Sequence, residues 1–172
     1  MKRANPLDRY ALHLPTGRLE WIGVRPARRA GMIEPETVQA IAGLGLDGDH
    51  RVSKTPGSAR QVTLISREFI GQIAHYLGRD AVSPSILRRN LVISGINLNA
   101  LRRQQFTIGT AVFEATALCH PCSRMESALG EGGVAAMIGH GGVCAKILSS
   151  GVISVGDDVR VVVSDQQELA LD

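Results

Sequence analysis

Apolar residues along this chain gather in short runs between turn signals, and few of them recur at helical spacing. Continuous or alternating β-branched runs at 19–24, 62–65, 91–93, 106–117, 146–148 and 159–163 predict six strands. One amphipathic helix intervenes. Ser66 is its N-cap, Phe69, Ile70, Ile73, Ala74 and Leu77 share one face, and Gly78 stops it. Shorter helices are expected over 123–129 and 134–138. Strands outnumber helices and do not alternate with them regularly. That order argues against a doubly wound sheet and for a β-rich mixed α/β fold, a β-barrel with short helices inserted between its strands. With no internal repeat, low-complexity segment or Pro/Gly-rich linker, residues 1–172 are expected to form a single domain.

Composition narrows the function. Of 172 residues 44% are apolar, enough for a core that needs neither disulfide nor metal to hold it. One Trp, two Tyr and three Phe are too few for base-stacking platforms, so a nucleic-acid partner is not expected. No apolar stretch approaches a membrane span, and the opening segment 1–6 is charged and broken by proline, so no membrane partner is expected either. Three cysteines, an odd number, point to a reducing cytoplasm. The net charge of +3 comes with arginines in pairs, Arg28-Arg29, Arg88-Arg89 and Arg102-Arg103, which suits a small anionic ligand better than a polyanion.

Candidate chemistry concentrates at Cys119-His120-Pro121-Cys122, where the apolar run 113–118 gives way to a helix beginning near Ser123. A thiol just ahead of a helix has its anionic form favoured by unpaired backbone N–H groups and by a nearby cation such as Arg124. Simple burial of the cysteines is the competing reading. A zinc site built from Cys119, Cys122, Cys144 and either His120 or His140 lacks the usual second Cys-x-x-Cys. Thioredoxin-like chemistry lacks its βαβ frame, and haem attachment fails because Ser123 follows Cys122. A hydrolase pairing Cys122 with His140 has no local signature. Glycine-dense turns at 43–50, 132–133 and 139–142 match neither a phosphate-binding loop nor a dinucleotide fingerprint, yet they let backbone N–H groups approach an anion. What remains is a soft-metal or sulfur-carrying thiolate in an arginine-lined, glycine-rich pocket.

Seven stretches then fall in one order over 43–159. They are Gly45 to Arg51, Arg60 to Ser66 with Glu68, Leu87 to Asn99, Phe106 with Ile108-Gly109, Cys119 to Glu126, Gly139 to Leu148, and Gly151 to Asp157. Together they resemble the MOSC domain, the C-terminal domain of molybdenum cofactor sulfurases, in its small stand-alone bacterial form. The resemblance implies a β-barrel that holds a molybdenum pterin cofactor (molybdopterin), a dithiolene with a phosphate tail, with the metal presented at one cysteine, here Cys122. It implies Arg88 and Asn90, an Arg-x-Asn pair, as the anchor for the cofactor's anionic part. Cys119 and His120 are expected to line the same pocket, and His140 with Gly141 to form the loop facing the metal. Asp47, Asp49 and His50 are expected to hold a turn, where a carboxylate accepts backbone N–H groups. The activity implied is reduction of N-hydroxylated compounds; the alternatives are a sulfur carrier for other molybdoenzymes, through a persulfide on Cys122 or Cys119, and a non-enzymatic module that binds an anion or zinc. Neither pyridoxal phosphate nor an iron–sulfur cluster is expected within the chain, so an electron-donor protein or a sulfur donor would act in trans.

Overall fold

The computed structural model describes residues 6–163, so the single-domain expectation for 1–172 extends beyond the described residues at both ends. In chain order the strands and helices are β1 (Gly17–Ile22), β2 (Thr37–Ile41), β3 (Gly45–Leu46), β4 (Val62–Ser66), α1 (Arg67–Tyr76), α2 (Pro84–Leu87), β5 (Leu91–Ser94), β6 (Gln105–Ile108), β7 (Ala111–Leu118), α3 (Ser123–Leu129), α4 (Gly133–Met137), β8 (Val143–Ser149), β9 (Gly151–Ser154) and β10 (Asp158–Val161). Seven strands close a barrel in the order β1-β10-β6-β7-β8-β4-β5, and β3-β2-β9 form a small second sheet. All barrel neighbours run antiparallel except β4 and β5, which are parallel and joined through α1 and α2.

Burial explains the arrangement. In β4 every residue is buried: Val62 and Leu64 face the barrel interior, while Ile65 packs with the helices outside. A strand covered on both faces reads as a continuous apolar run, which is the pattern its sequence shows. The interior is filled by residues such as Leu19, Leu91, Ile93 and Ile147 and by the stacked pair Phe106 and Phe113 on adjacent strands. Helix α1 lays Ile70, Ile73 and Ala74 onto a second apolar cluster that also takes Leu87, Met125, Leu129 and Met137. Its start is fixed as the sequence predicts, with Ser66 Oγ accepting from Phe69 N at 3.2 Å. Helix α4 is positioned by α3, because the Glu126 carboxylate accepts from the N–H groups of Gly132 and Val134, which also hold its pKa below the ordinary value.

Several boundaries differ from the sequence reading. The expected strand over 106–117 is two strands, β6 and β7, turned at Gly109, where φ is +53° and an added Cβ would collide with the Val152 carbonyl. The expected strand over 19–24 ends at Ile22, and Val24 continues only as an isolated bridge to Ile33. Strand β8 is longer than the expected 146–148 because its first residues, Val143 and Cys144, are recruited by β4 and β7 on either side. Strands β2, β3 and β9 and the short helix α2 were not expected from the pattern. Among the described residues no helix is long and apolar enough to cross a membrane.

Candidate functional site

Helix α2 ends at Arg88, which takes the left-handed conformation (φ 57°, ψ 32°). A side chain in that region costs roughly 1 kcal/mol, and here the turn sends two consecutive arginines in different directions. Arg88 is half-buried at a cleft wall; Arg89 is only 4% exposed. Arg89 Nε donates to the Gly141 carbonyl at 2.9 Å and Nη1 to the Leu87 carbonyl at 3.0 Å. Nη2 of Arg88 and Nη2 of Arg89 are both buried without a hydrogen-bond partner. Burial is the main cause that lowers the Arg89 pKa, partly offset by Cys119.

Asn90, the next residue, is wholly engaged by the fold. Its Oδ1 accepts from Thr63 N and Oγ1, and its Nδ2 donates to the Gly23 carbonyl and to Asp49 Oδ2. Asp49 also accepts from the backbone N–H groups of Arg25 and Arg51, each at 3.0 Å. Asp49 thus holds its turn in the way the sequence predicts, and it seats the backbones of two further arginines. The Asp49 charge also acts on Arg25, raising its pKa, but it ranks behind burial and Arg88, which lower it.

The result is a cleft of about 240 Å³ lined by Arg25, Arg51, Arg60, Arg88, Arg89 and Arg124 together with His120, Cys122 and Met125. Burial, and next the proximity of Arg88, lower the Arg25 pKa. The Cys122 thiol is exposed at the N-cap position of α3 and makes no capping bond, so its sulfur is free to meet a ligand. A second cleft of about 370 Å³ shares Arg25 and Arg88 and runs on past Met32 and Ile86.

The other sequence-predicted residues divide. His120 lines the arginine cleft with Cys122. Cys119 is 2% exposed and lies behind it, its sulfur accepting from Arg60 Nη2 at 3.5 Å. A hydrogen bond from Cys144, with Arg89 and Arg60 nearby, outweighs burial and holds the Cys119 thiol down at about 6. The same hydrogen bond, together with burial, pushes Cys144 up. Gly141 reaches the site through its carbonyl on Arg89, and a Cβ there would strike the Cys119 carbonyl, so this loop position requires glycine. His140 turns away: it packs edge-on against Phe69 and Tyr76 and lines a separate cleft of about 610 Å³ with Glu68, Asn97 and Asn99. Among the described residues no group of three or more His, Cys, Asp or Glu side chains is placed to hold a metal, so the four-ligand zinc arrangement is not assembled. The sequence reading overlooked Arg25 as a cleft residue, since a lone arginine after a strand carries no signal until Asp49 and Asn90 draw its backbone in.

A family model described as the MOSC domain matches residues 49–160. Among solved structures the chain is similar to the YuaD protein from Bacillus subtilis, with a TM-score of 0.73 and 18% identity over 85% of this chain and 95% of that one. It is also similar to YiiM from Geobacillus stearothermophilus (TM-score 0.69, 15% identity, 87% of this chain and 76% of that one) and to YiiM from Escherichia coli (0.65, 18%, 86% and 70%). At these identities the likeness shows the barrel fold alone. No curated protein matches the chain.

Proposed function

The chain belongs to the MOSC domain family, and from that premise we propose that its arginine cleft binds a molybdenum pterin cofactor for the reduction of N-hydroxylated compounds. The observation that carries this reading is the pair of buried guanidinium nitrogens, Nη2 of Arg88 and of Arg89, left without partners beside the exposed thiol of Cys122. Buried donors of this kind are ordinarily satisfied, and an anionic group entering the cleft would satisfy both. The donor set fits the cofactor chemically, because guanidinium groups match a phosphate or metal-bound oxygens and a thiolate is a soft metal ligand.

Within this reading Arg25, Arg88 and Arg89 hold the anionic part, and Cys122 is the protein's ligand to the metal. Asn90 and Asp49 act one step removed: they fix the turns that aim the arginines and leave no donor of their own for the cofactor. When bound, the group would supply the two-electron redox chemistry that reducing an N–O bond, with its oxygen released as water, requires. His120 offers the imidazole that hands a proton to that oxygen. The Met32 and Ile86 walls give an apolar shelf beside Arg25 and Arg88, which suits the flat, poorly charged body of an N-hydroxylated base or amine. Electrons come from a separate donor protein in trans, in a cytoplasmic setting.

The exposed Cys122 thiol also favours the second reading, sulfur carriage as a persulfide. The test is metal and pterin analysis of protein made in a host that synthesises the cofactor, comparing the native chain with Cys122→Ala and Arg88→Ala. Near-stoichiometric molybdenum and pterin, with metal lost in Cys122→Ala and pterin lost in Arg88→Ala, is the expected result. Protein free of both, from a host that loads a control enzyme, sinks the cofactor reading; a mass gain of one sulfur on Cys122 in that protein would favour carriage.

A further inference from the structure

A pair of sulfurs that this chemistry does not use lies in the barrel wall behind the cleft. Cys144 stands on β8 opposite Ala117 of β7, and two residues further along, Cys119 N donates to the Gly142 carbonyl at 2.8 Å. The two cysteines are therefore diagonal neighbours on adjacent strands, on the same face, and the Cys144 thiol hydrogen-bonds the Cys119 sulfur. Both are buried, at 2% and 5% exposure, and both are free thiols.

Their surroundings are lopsided in charge. Arg60 Nη2 donates to the Cys119 sulfur, and Arg89 stands close by with its Nη2 unpartnered. Apart from the sulfurs' action on each other, the charged side chains that act most strongly on the two sulfurs are these arginines. The hydrogen bond between the sulfurs and the two nearby cations favour the anion at Cys119, whereas the same hydrogen bond and burial favour the neutral thiol at Cys144. That is the division of labour between an attacking and a resolving cysteine.

We propose that Cys119 and Cys144 form a redox modification site, in which hydrogen peroxide converts the pair into a reversible intramolecular disulfide. The Cys119 thiolate attacks one peroxide oxygen, the O–O bond breaks and hydroxide leaves, giving a sulfenic acid. Cys144 then attacks that sulfur, the S–O bond breaks, the S–S bond forms, and its proton departs with hydroxide as water. Two thiols are oxidised and one peroxide is reduced to two waters; a small thiol reductant reverses the step. The disulfide removes a negative charge from beside Arg60 and Arg89, so an anion in the cleft is held several-fold more tightly. That consequence rests on reading the cleft as an anion site, whereas the disulfide does not.

The test treats the full chain with equimolar hydrogen peroxide and follows it by intact mass and non-reducing peptide mapping. The expected product has lost two hydrogens, links the Cys119 and Cys144 peptides, and leaves Cys122 alkylatable; Cys122→Ser gives the same linkage. In Cys144→Ala, dimedone captures Cys119 as its sulfenic acid. Oxidation of Cys122 with Cys119 and Cys144 both intact, or a Cys119–Cys122 linkage, overturns the proposal, and the native chain with Cys122→Ser decides this even if Cys144→Ala fails to fold. Inorganic phosphate affinity of the oxidised and reduced chains checks the cleft separately: unchanged affinity with the disulfide formed overturns the coupling alone.

Discussion

Two clefts lie at either side of the Gly139–Gly142 loop, and they contrast in kind more than in size. The larger, beside His140, is lined by groups that already have partners: Glu68 accepts from Ser66 Oγ and from Gly95 N, and Asn99 Nδ2 donates to the Gly139 carbonyl. The smaller, beside Cys122, gathers six arginines and leaves two of their nitrogens unsatisfied. Volume alone would favour the His140 cleft over the one proposed to bind an anion. Unmet hydrogen-bonding capacity is the better guide to where a ligand contributes binding energy, because a group already bonded gains little from a newcomer.

The severest way to break the contrast is to remove the scaffold under the arginines. Asn90→Leu strips partners from Thr63, Gly23 and Asp49 at once; a loss of about 3 kcal/mol in urea unfolding is expected, on the scale of stranding buried polar groups. Gly141→Ala attacks the wall between the clefts and should cost about 1–3 kcal/mol by overpacking against the Cys119 carbonyl. Gly139→Ala, which meets open space, carries only the penalty of its φ of +79° and should cost about 1 kcal/mol; equal losses at the two positions would show that the wall does not confine the site. Arg88→Ala leaves the fold in place and should weaken inorganic phosphate binding by about 10-fold, the worth of a charge-assisted bond, as read by titration calorimetry. His140→Ala should leave that affinity within about 2-fold, and a larger drop would merge the two clefts into one site.

The smallest effect tests the satisfied cleft through pH. Burial alone would raise the Glu68 pKa, but the Gly95 N–H and the Ser66 hydroxyl outweigh it and hold the carboxyl below its ordinary value. A group depressed in the fold stabilises above its unfolded pKa, about 4.3 for Glu, and loses that contribution as pH falls through the folded value. Glu68→Gln should therefore cost less than about 1 kcal/mol at neutral pH, given its exposure. The difference between native and variant should vanish in strong acid. A deficit that persists there would mean that shape, and not charge, sets the contribution of Glu68.

Helix α1 is legible in the sequence because its cap, its apolar stripe and its terminal glycine agree. The barrel class is legible for a similar reason, since β4, β5 and β7 are apolar enough to announce themselves without partners. Strands β2 and β3 are not, because a five-residue run of mixed polarity and a two-residue bridge become strands only through each other and through β9. At the site, the Arg88-Arg89 pair and Cys122 stand out in the chain, but the division of roles within the pair depends on one left-handed residue. Arg25 and Arg60 are drawn to Arg51 by contacts that no local pattern reports, Arg25 N on the Asp49 carboxylate and Arg51 Nη1 on the Arg60 carbonyl. Cys119 and Cys122 look alike in a four-residue motif, and only the path of β8 puts Cys144 beside the first and open solvent beside the second.

The barrel closes where β1 meets β10, through Gly17↔Val159 and Arg18↔Asp158, so its final seam joins the two ends of the described chain. A chain emerging from the ribosome has β1, β4 and β5 long before β10 exists, and every cleft arginine is synthesised ahead of that seam. Until the last strand arrives, β1 and β6 each offer a bare edge to any passing strand. Translation that stalls just short of Asp158 would thus yield a product with its ligand-facing residues all present and two sticky margins, a candidate for aggregation more than for slow folding.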